Sequence, residues 1–346
     1  MTKVAIVGCG RFAENSHLGP YLKLADKVAL VGFVDRDLER ARMFAGRAGT
    51  GEVYRDISDL PGPGEIEFVD VCVPHRHHVP VGLALLDRGH NVLIEKPMAL
   101  STADCDRLIK AADGKGVRLG VGLHTRFDPC WVAMRTFVLA GGAGRAIYAA
   151  ASFCSNLPAF NDGGGALAPW RASADGGGGA LPDLGIYVAD ILAWTFGDPV
   201  LVQAMRSPRS PTDPPNGKRG SEMTALVTAE LEGGVVVAMQ ATWDHPQAKL
   251  PPALSSDGIV CRVVCEDGVI VAPDRVLGHP VVFYPAGGGA PVYVEIPNVE
   301  PEIAQVVSAA EERREFPVTG REGRRSVAFV EAALDSIAAR TGVAPR

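Results

Sequence analysis

A glycine-rich loop near the start of the chain is the first residue pattern that could do chemistry. It follows an apolar strand, precedes a helix, has the form G-x-G-x-x-A and reads Gly8-Cys9-Gly10-Arg11-Phe12-Ala13. Gly8 would make a tight turn, Gly10 would let the backbone approach a pyrophosphate, and Ala13 would let the helix pack closely on the strand. The helix N-terminus adds amide donors and the positive end of a dipole, which both favour an anion. The pattern therefore predicts a dinucleotide-binding loop.

An acidic residue follows at the spacing that a ribose contact requires. Asp35 closes the next predicted strand, 22 residues after Ala13, and its carboxylate would accept hydrogen bonds from the ribose hydroxyls of an adenosine. A glycine-rich turn alone could serve packing only, but here strand, loop, helix, strand and acid fall in order. A carboxylate repels a 2′-phosphate, so Asp35 favours NAD, whereas Arg36 and Arg40 keep NADP open. Asp35 and Arg36 therefore join the loop as predicted cofactor contacts.

A second candidate, Glu95-Lys96-Pro97, ends the fifth predicted strand. In a doubly wound parallel sheet the carboxyl ends of the strands border the cofactor crevice, so Lys96 is predicted to point toward the nicotinamide half. Lysine accounts for only eight of the 34 basic residues, which makes one at the end of an apolar strand notable. The simpler alternative is a Lys-Pro pair that only begins a loop, and Pro97 could fix a tight turn through a cis bond. Glu95, Lys96 and Pro97 are predicted cofactor contacts.

A run of basic side chains follows the fourth predicted strand and reads Val73-Pro74-His75-Arg76-His77-His78. Consecutive residues rarely converge on one ion and the run contains no carboxylate, so no metal site is predicted. We expect one histidine to face the cofactor and the others to face water. Pro74, His75 and His78 are the cofactor candidates of this run.

A third candidate lies in the second half of the chain, where Gly177-Gly178-Gly179 leads into a predicted helix. Glycines let the backbone approach a ligand closely, and Asp183 and Tyr187, four residues apart, are predicted to share a helix face and meet one substrate. The alternative is an aspartate stabilised by the helix dipole and a tyrosine packed in the core. The residue pattern leaves both interpretations open.

The elements that must position these residues change character near residue 125. Before it, short apolar strands alternate with helices, a pattern typical of a parallel sheet covered on both faces. The predicted strands are Lys3–Val7, Val28–Val34, a short one near Val53, Ile66–Val73, Asn91–Glu95 and Val117–Leu123. The predicted helices with assigned bounds are Leu38–Ala48, Val79–Arg88 and Thr102–Ala112, the last one preceded by Ser101 and Asp104 as a capping pattern.

After residue 126 the predicted strands are longer and mainly antiparallel, with Gly233-Gly234 as a hairpin signal. They are Ala146–Cys154, Leu201–Arg206, Met223–Glu230, Val235–Trp243, Ile259–Cys265 and Val292–Ile296, with helices at Pro182–Thr195, Val299–Glu312 and Arg324–Arg340. The predicted fold is an α/β Rossmann domain with a doubly wound parallel sheet at residues 1–125. An α+β domain with a large, open, mainly antiparallel sheet follows at residues 126–346, and its C-terminal helix could pack back on the first domain.

Composition excludes several classes of protein. With 346 residues, 47% hydrophobic and 21% charged, the chain is a packed globular protein rather than a disordered one. A net charge of −6 without a basic block gives little basis for nucleic-acid binding. No apolar run reaches the roughly 20 residues that span a bilayer, and no signal-peptide pattern follows Met1, so a cytoplasmic location without a membrane partner is expected. The seven dispersed cysteines, without a CxxC pair, indicate buried, reduced thiols.

Together these motifs resemble the glucose-fructose oxidoreductase / inositol dehydrogenase family (Gfo/Idh/MocA). The resemblance rests on the order of the cofactor loop, Glu95-Lys96-Pro97, the run Val121–Pro129 and the pattern G-G-G-A-L-x-D-x-G-x-Y at 177–187. It extends to Trp170-Arg171 and to the last helix after Gly320. It implies a Rossmann domain, a second domain whose open sheet often builds dimers or tetramers, and hydride transfer to or from a carbon of a sugar or cyclitol.

The resemblance also implies roles for single residues. Lys96 matches the family's active-site lysine and Asp183 its aspartate, whereas Tyr187 stands where many members carry a histidine as general acid/base. In carrying a tyrosine at this position, the chain resembles the glucose-fructose oxidoreductase, xylose or dihydrodiol dehydrogenase and some deoxysugar ketoreductase branches of the family. The resemblance is therefore a weaker basis for expecting inositol as the substrate. Further candidates for the substrate pocket are His124, Arg126, Arg171 and Trp243.

The expected activity is a reversible NAD(P)-dependent oxidation of a secondary alcohol, or reduction of the ketone, on a sugar-like ring. Tyr187 would move the hydroxyl proton; because its unperturbed pKa of about 10 is high for a base near neutrality, an ammonium on Lys96 would help by favouring the tyrosinate. Asp183 would accept a hydrogen bond from a neighbouring hydroxyl. The expected partners are a carbohydrate or cyclitol and further copies of the chain in a homodimer or homotetramer. Two alternatives stay open, a redox-neutral NAD-dependent glycosidase and a non-catalytic dinucleotide-binding regulator.

Overall fold

The chain divides into two compact units. The computed structural model describes residues 1–155, 176–207, 221–243, 258–273, 280–341 and 345. The first unit comprises Met1–Leu123 with Glu300–Arg324, and the second comprises His124–Val299 with Arg325–Arg346. The predicted domains are two continuous ranges, 1–125 and 126–346, whereas in the structure a segment from the second half of the chain belongs to the first unit.

Eight helices are seen in the described residues, and two of them contain a wide π-type turn. They are α1 (Arg11–Ala13, Glu14–Leu18 and Gly19–Leu22 in one run), α2 (Leu38–Ala48), α3 (His78–Asp87), α4 (Thr102–Lys115), α5 (Pro129–Leu139), α6 (Leu181–Gly185 continuing as Ile186–Phe196), α7 (Glu302–Glu311) and α8 (Gly320–Ala339). The π-type turns are the segments Glu14–Leu18 of α1 and Leu181–Gly185 of α6. Such turns often mark functional sites.

Side-chain caps explain where three helices begin. Asp37, Ser101 and Asp128 each accept a backbone N–H from the first turn of the helix that follows. The predicted pairing at Ser101 is confirmed, because its Oγ accepts the N–H of Asp104 at 3.2 Å and lies 3.1 Å from Asp104 Oδ2. Helix α5 was not predicted, although Asp128 before Pro129 is a usable start signal.

The first unit is built on six parallel strands in the order β3-β2-β1-β4-β5-β6. They are β1 (Thr2–Val7), β2 (Val28–Val34), β3 (Glu52–Tyr54), β4 (Phe68–Val71), β5 (Val92–Glu95) and β6 (Leu119–Gly122). Every residue of β4, β5 and β6 is buried, as expected for a sheet covered on both faces. The predicted doubly wound sheet is confirmed. Its strand order reverses between β1 and β4, the switch point at which such sheets bind ligands.

Aromatic side chains join the segment Glu300–Arg324 to the core of the first unit. The ring of Phe316 packs edge-on against that of Phe68, with 5.6 Å between centroids. Four side chains of α7 belong to the same buried cluster, namely Ile303, Val306, Val307 and Ala310. Burying each of the larger ones contributes about 1.5–3 kcal/mol, which explains why this late segment belongs to the first unit.

The described residues of the second unit form eight strands in the order β14-β13-β12-β11-β7-β10-β9-β8. They are β7 (Ala146–Cys154), β8 (Pro199–Arg206), β9 (Thr224–Leu231), β10 (Val236–Thr242), β11 (Gly258–Cys265), β12 (Gly268–Pro273), β13 (Val282–Pro285) and β14 (Val292–Tyr293). Neighbouring strands are antiparallel except β7 and β10, which run parallel. The mainly antiparallel sheet is confirmed, whereas β12 and β13 were not predicted.

Alternation along the strands gives this sheet one buried and one accessible face. On β9, Ala225, Val227 and Ala229 are buried and the positions between them are exposed. Helix α6 packs against β7 and β10. The accessible face still carries apolar side chains, which the strand register places together and which include Leu201, Met205, Leu226, Val236 and Tyr284.

All seven cysteines lie in described segments. None forms a disulfide, six are buried and Cys72 is half-buried, so the predicted reduced thiols are confirmed. No helix in the described part of the chain has both the length and the apolar character that crossing a membrane would take.

Candidate active site

The glycine-rich loop joins β1 to α1. Gly8 has a φ of +95°, and a Cβ at this position would lie 2.7 Å from the carbonyl oxygen of Cys72, so the turn requires glycine. Gly10 occupies the N-cap of α1, and among the described residues no heavy atom beyond Gly10 and its two chain neighbours lies within 4 Å of the position its Cβ would take. The loop is therefore closely packed at Gly8 and open at Gly10, where a pyrophosphate would approach.

Asp35 is held against this loop by two backbone amides. Its Oδ2 accepts the N–H of Cys9 at 2.9 Å, and its Oδ1 accepts the N–H of Asp37 at 2.8 Å. Each carboxylate oxygen keeps a second lone pair, so the half-buried carboxylate can also accept ribose hydroxyls. Arg36 beside it is exposed. The open loop and the fixed anion fit a dinucleotide.

The other side chains of the loop point in different directions. Cys9 is buried, and burial together with the charge of Asp35 raises the pKa of its thiol, which keeps the thiol protonated. Arg11 is exposed, and Ala13 is buried as predicted for helix–sheet packing. The Phe12 side chain is 38% exposed, and its ring lies 5.7 Å from the ring of His17.

The histidine run after β4 turns two of its histidines inward. Pro74 precedes a short 3₁₀ turn over His75–His77, and α3 then begins at His78. His75 and His78 are buried, whereas His77 is half-buried and Arg76 is exposed. The expectation that one histidine faces the cofactor and the others face water is wrong, because the turn and the helix bury two of them.

His78 connects the ends of β4 and β5. Its Nδ1 lies 2.7 Å from the carbonyl oxygen of Pro97 and its Nε2 lies 2.8 Å from that of Val73. Burial lowers the pKa of the His78 ring, although both carbonyls oppose that shift. Both ring nitrogens of His78 thus face backbone carbonyl oxygens, and its contact with a cofactor stays a prediction.

Lys96 directly follows β5, and the Lys96–Pro97 peptide bond is cis. The residue is only 7% exposed, which distinguishes it from a solvated surface lysine. Glu95 and Pro97 on either side are also buried. The carboxyl ends of β1, β4 and β5 are adjacent in the sheet, so the first unit brings its predicted cofactor residues to one edge.

Sequence reasoning missed a buried cluster of ionisable side chains in the first unit. His17 of α1 has its Nδ1 2.8 Å from Asp70 Oδ2 and its Nε2 3.0 Å from Glu95 Oε1. The hydroxyl of Tyr21 donates to Asp70 Oδ2 at 2.9 Å. Burial is the largest single effect and lowers the pKa of His17, but the charges and hydrogen bonds of Asp70 and Cys72 together raise this pKa well above its usual value. The residues are far apart in sequence, so no local pattern revealed the cluster.

In the second unit, a buried glutamate anchors the glycine run that precedes α6. Gly179 has a φ of +125°, and its Cβ would lie 2.3 Å from Glu222 Oε1. That oxygen accepts the N–H of Leu181 at 2.9 Å, and the carbonyl of Glu222 accepts the N–H of Ala180 at 2.8 Å. Burial raises the pKa of Glu222 to about 7. The close approach predicted for the glycine run is made here by a side chain of the protein itself.

Asp183 and Tyr187 both lie on α6 and are 3% and 5% exposed. A π-type turn, Leu181–Gly185, ends between them, so their spacing of four does not by itself place them on one face. The Tyr187 ring lies 4.8 Å from the ring of His124, with 3.5 Å between the hydroxyl and Nδ1, and 6.0 Å from Phe153. His124, predicted as a substrate residue, is thus a neighbour of the tyrosine.

The remaining substrate candidates have different surroundings. Arg126 binds Asp190 through two nitrogens at 2.7 and 2.8 Å, and Ser326 donates to the same carboxylate at 2.6 Å. Arg126 is 7% exposed and Asp190 is fully buried, so this ion pair is part of the interior. Trp243 is 2% exposed. Arg171 and the preceding Trp170 lie outside the described residues.

Two family models match the chain. The model described as "Oxidoreductase family, NAD-binding Rossmann fold" matches residues 2–123, and the model of the GFO/IDH/MocA C-terminal domain matches residues 131–271. They are the two halves of one family and together cover well over half of the chain. The chain belongs to the Gfo/Idh/MocA family. The resemblance seen in the motifs is therefore confirmed.

Similar curated proteins include two that are named dehydrogenases. D-apiose dehydrogenase of Paraburkholderia graminis is 27% identical over 247 residues, which is 71% of this chain and 62% of that protein. Inositol 2-dehydrogenase 4 of Saccharopolyspora erythraea is 28% identical over 242 residues, 69% of this chain and 66% of that protein. The matched regions thus span just under two thirds of these relatives.

Solved structures share the whole fold. The structure of levoglucosan dehydrogenase in complex with NADH and levoglucosan superposes on this chain with a TM-score of 0.83 and 18% sequence identity. The superposition covers 100% of this chain and 99% of the levoglucosan dehydrogenase chain. At this identity the likeness establishes the fold.

Proposed function

We propose that the protein is an NAD-dependent oxidoreductase acting on a secondary alcohol, or the corresponding ketone, of a sugar, sugar derivative or cyclitol. The observation that carries the proposal is the open loop at Gly10 with the Asp35 carboxylate fixed 2.9 Å from the amide of Cys9. Membership of an oxidoreductase family supports the reaction class. The names of the apiose and inositol dehydrogenases support the substrate class.

The preference for NAD over NADP rests on charge. The Asp35 carboxylate, held by two amides, would repel a 2′-phosphate at the adenosine ribose. Arg36 is exposed beside it and is the residue that could offset this repulsion. Dinucleotide titration should give a dissociation constant at least about tenfold lower for NAD, and Asp35→Ser should narrow that ratio. Equal affinities in the unmodified protein would contradict the preference.

The residues of each unit would contribute separately to the chemistry. A bound nicotinamide would supply or accept the hydride. In the second unit, Tyr187 would hold or release the proton of the reacting hydroxyl, with His124 Nδ1 3.5 Å away to share it. Asp183 would accept a hydrogen bond from a neighbouring hydroxyl. In the first unit, Lys96 would place its amine at the end of β5. All three proposed catalytic residues are nearly buried, which strengthens their polar interactions.

The accessible face of the second unit supports self-association. Leu226, Val236 and Met205 are each at least half exposed on one sheet face. Apolar groups gathered on a sheet face are a common basis of homodimers. We therefore propose a homodimer or homotetramer built on this face. Leu226→Asp should lower the molar mass measured by light scattering to that of a smaller species.

The first test is reduction of NAD and NADP, followed by absorbance, across free sugars, inositols, amino-cyclitols and sugar nucleotides. Reduction with one compound class would establish the dehydrogenase and its substrate class. Dinucleotide binding without reduction would shift weight to the reverse reaction on a ketone, tested with NADH and the oxidised panel. If absorbance changes neither with NAD or NADP and the alcohols nor with NADH and the ketones, the redox-neutral glycosidase or the regulator would be favoured.

Two substitutions test the assigned residues once a substrate is known. Lys96→Met and Tyr187→Phe should each lower kcat by about 100-fold or more and leave dinucleotide affinity nearly unchanged, because proton transfer contributes roughly that factor. Matched controls are Lys110→Met and Tyr293→Phe at exposed positions, which should keep full activity. Unaltered turnover in both site variants would remove the assignment.

A further inference from the structure

Three elements of the first unit meet at His17. The residue lies in the π-type turn of α1, and its two ring nitrogens face carboxylates of the adjacent strands β4 and β5, at 2.8 Å from Asp70 and 3.0 Å from Glu95. His17 is 1% exposed, Asp70 0% and Glu95 5%. Two carboxylates on neighbouring strands repel each other strongly away from water, so the group between them has to compensate their charge.

The surrounding donors indicate the protonation state of His17. Asp70 Oδ2 already accepts the hydroxyl of Tyr21 at 2.9 Å, and Oδ1 faces the thiol of Cys72 at 3.5 Å. Glu95 Oε2 accepts the backbone N–H of Lys96 at 3.1 Å. Each carboxyl group thus already accepts a hydrogen bond from another donor, and a doubly protonated His17 ring would donate to both of them, from Nδ1 to Asp70 and from Nε2 to Glu95. The raised pKa of His17, which Asp70 and Cys72 together produce against the larger effect of burial, agrees with an imidazolium.

Glu95 transmits this bridge to the end of β5. One oxygen of its carboxylate faces His17 and the other accepts the N–H of Lys96. Gly122 of β6 leaves the space that the carboxylate fills, since a Cβ there would lie 2.4 Å from Glu95 Oε1. The carboxylate is thus confined between His17 and β6, and its orientation determines where the backbone of Lys96 is bound.

We propose that His17 is a positioning residue for Lys96: as a buried imidazolium it joins Asp70 to Glu95 and, through Glu95, fixes the backbone of Lys96 relative to the helix that follows the cofactor loop. The bridge itself is a property of the fold. Its importance for turnover rests on the proposed function, because that function assigns Lys96 to the chemistry. His17 also contacts Phe12 of the loop, with 5.7 Å between ring centroids, so the same ring touches both ends of the predicted cofactor site in this unit.

A metal ion is the competing interpretation of the same side chains. The ligand atoms of His17, Asp70 and Cys72 lie within 4.8 Å of one another. However, burial raises the pKa of the Cys72 thiol, and a protonated thiol is a poor metal ligand. The 2.8 Å separation between the His17 ring and Asp70 is that of a charge-assisted hydrogen bond. Metal content is therefore included as an outcome of the test.

The direct test is amide hydrogen exchange of Lys96 in the full-length protein, compared with Ile94 in the middle of the same strand. In His17→Leu and the milder His17→Gln, the Lys96 amide should exchange about tenfold faster or more relative to Ile94, because its acceptor is no longer held. Tyr21→Phe is the matched control: it removes a hydrogen bond to Asp70 but keeps the bridge, and should leave the Lys96-to-Ile94 ratio unchanged. Equal acceleration of both amides in the His17 variants would mean a purely structural role and would overturn the proposal.

A second measurement uses only the unmodified protein, so it remains decisive if the His17 variants do not fold. Nitrogen-15 chemical shifts of the His17 ring in the unmodified protein should show both nitrogens protonated at pH 7.5. A neutral ring at that pH would contradict the bridge. Stoichiometric metal in the purified protein that is lost in His17→Gln would also contradict it.

Activity distinguishes this inference from the proposed function. With a substrate in hand, His17→Gln should lower kcat about tenfold while the dissociation constant for NAD changes by less than about twofold. If the unmodified protein has no oxidoreductase activity, the proposed function fails while exchange and ring protonation still decide the bridge. If it is active but His17→Gln keeps full kcat, the positioning role fails while the function stands.

Discussion

Both units place a glycine-rich loop in front of a helix with a π-type turn, yet the two loops serve different ends. In the first unit, Gly10 faces open space, with no heavy atom of a more distant described residue within 4 Å of its missing Cβ. In the second unit, the space beside Gly179 is filled by Glu222, whose Oε1 would lie 2.3 Å from a Cβ. Under the proposed function the first loop receives the dinucleotide, whereas the second is anchored to its own protein so that α6 begins at a fixed point.

The comparison shows that a glycine run is not by itself evidence of a ligand site. Both runs contain a glycine at positive φ, Gly8 in one and Gly179 in the other, and both precede buried ionisable residues. The two loops differ in what lies where a glycine side chain would be: open space beside Gly10, and the Glu222 carboxylate beside Gly179. The function proposed above accordingly places its second-unit residues on the helix, at Asp183 and Tyr187, with the loop as their support.

Gly8→Ala is expected to have the largest effect on stability. The substitution combines a φ of +95° with a Cβ 2.7 Å from a backbone oxygen that cannot move aside. We expect a loss of about 3 kcal/mol in the free energy of unfolding and a loss of dinucleotide binding. Urea unfolding and calorimetric titration with NAD measure the two effects. A variant with normal stability would show that the turn is less constrained than the structure indicates.

Gly179→Ala should destabilise the second unit by about 2 kcal/mol, because the Cβ meets a side chain that can partly yield. Gly234→Ala is the control, because Gly234 also has a positive φ, +73°, but its added Cβ would meet no atom of a more distant described residue within 4 Å. That variant should lose about 1 kcal/mol in the free energy of unfolding, from backbone strain alone. NAD affinity should stay unchanged in both variants. Weaker NAD binding in Gly179→Ala would contradict the division of roles between the loops.

The buried carboxyl group of Glu302 is expected to make the stability of the first unit depend on pH. Burial first, and then the charges of Glu95 and Asp70, raise its pKa to about 8, with His17 and the amide of Leu123 acting in the opposite direction. The folded state therefore holds a proton that the unfolded state releases above its ordinary pKa near 4.5. This group's contribution to stability is greatest below pH 4.5 and is lost as the pH rises to about 8.

Glu302→Gln should remove that loss. Thermal unfolding at pH 5 and pH 8 should show the variant gaining at least about 1.4 kcal/mol relative to the unmodified protein between the two pH values, the equivalent of one pKa unit. Glu300→Gln, at an exposed position, is the control and should show no such gain. Parallel pH profiles for Glu302→Gln and the unmodified protein would show that Glu302 is ionised in the folded state.

Gly10→Ala should have the smallest effect on stability and the most selective effect on binding. Alanine adopts its φ of −86° without strain and the added Cβ meets no atom of a more distant described residue, so only the weaker N-cap preference of alanine counts and the free energy of unfolding should fall by no more than about 1 kcal/mol. The same methyl group would occupy the approach to the pyrophosphate, and NAD affinity should fall about tenfold or more. Unchanged affinity would indicate that the dinucleotide does not pass over this residue.

Much of the fold was predictable because its signals are local. The parallel strands of the first unit are short, mainly apolar runs, and the Ser101 cap is set by residues three apart in sequence. The missed helix α5 is nearly uniform in hydrophobicity, so it shows little of the amphipathic period that marks a helix. The parallel pairing of β7 with β10 was missed because nothing in either strand identifies its partner.

The candidate site was predictable in part for a related reason. Asp35 was identified because ribose recognition requires an acid at a fixed spacing from the loop, and the structure places its carboxylate 2.9 Å from the amide of Cys9. Arg126 was proposed for a substrate pocket, whereas the structure pairs it with Asp190, 64 residues later. An ion pair across that separation leaves no trace in the local sequence.

The sequence by itself determined the two kinds of sheet, the glycine loop with its acid and the family, because each depends on residue types at short, fixed spacings. Only the tertiary structure decided which polar groups meet in the interior. The joining of His17 to Asp70 and Glu95, the anchoring of Gly179 by Glu222 and the return of Glu300–Arg324 to the first unit all depend on contacts between distant segments. Such contacts form because buried charges and polar groups must find partners once the core excludes water, and the chain's topology selects which partners are within reach.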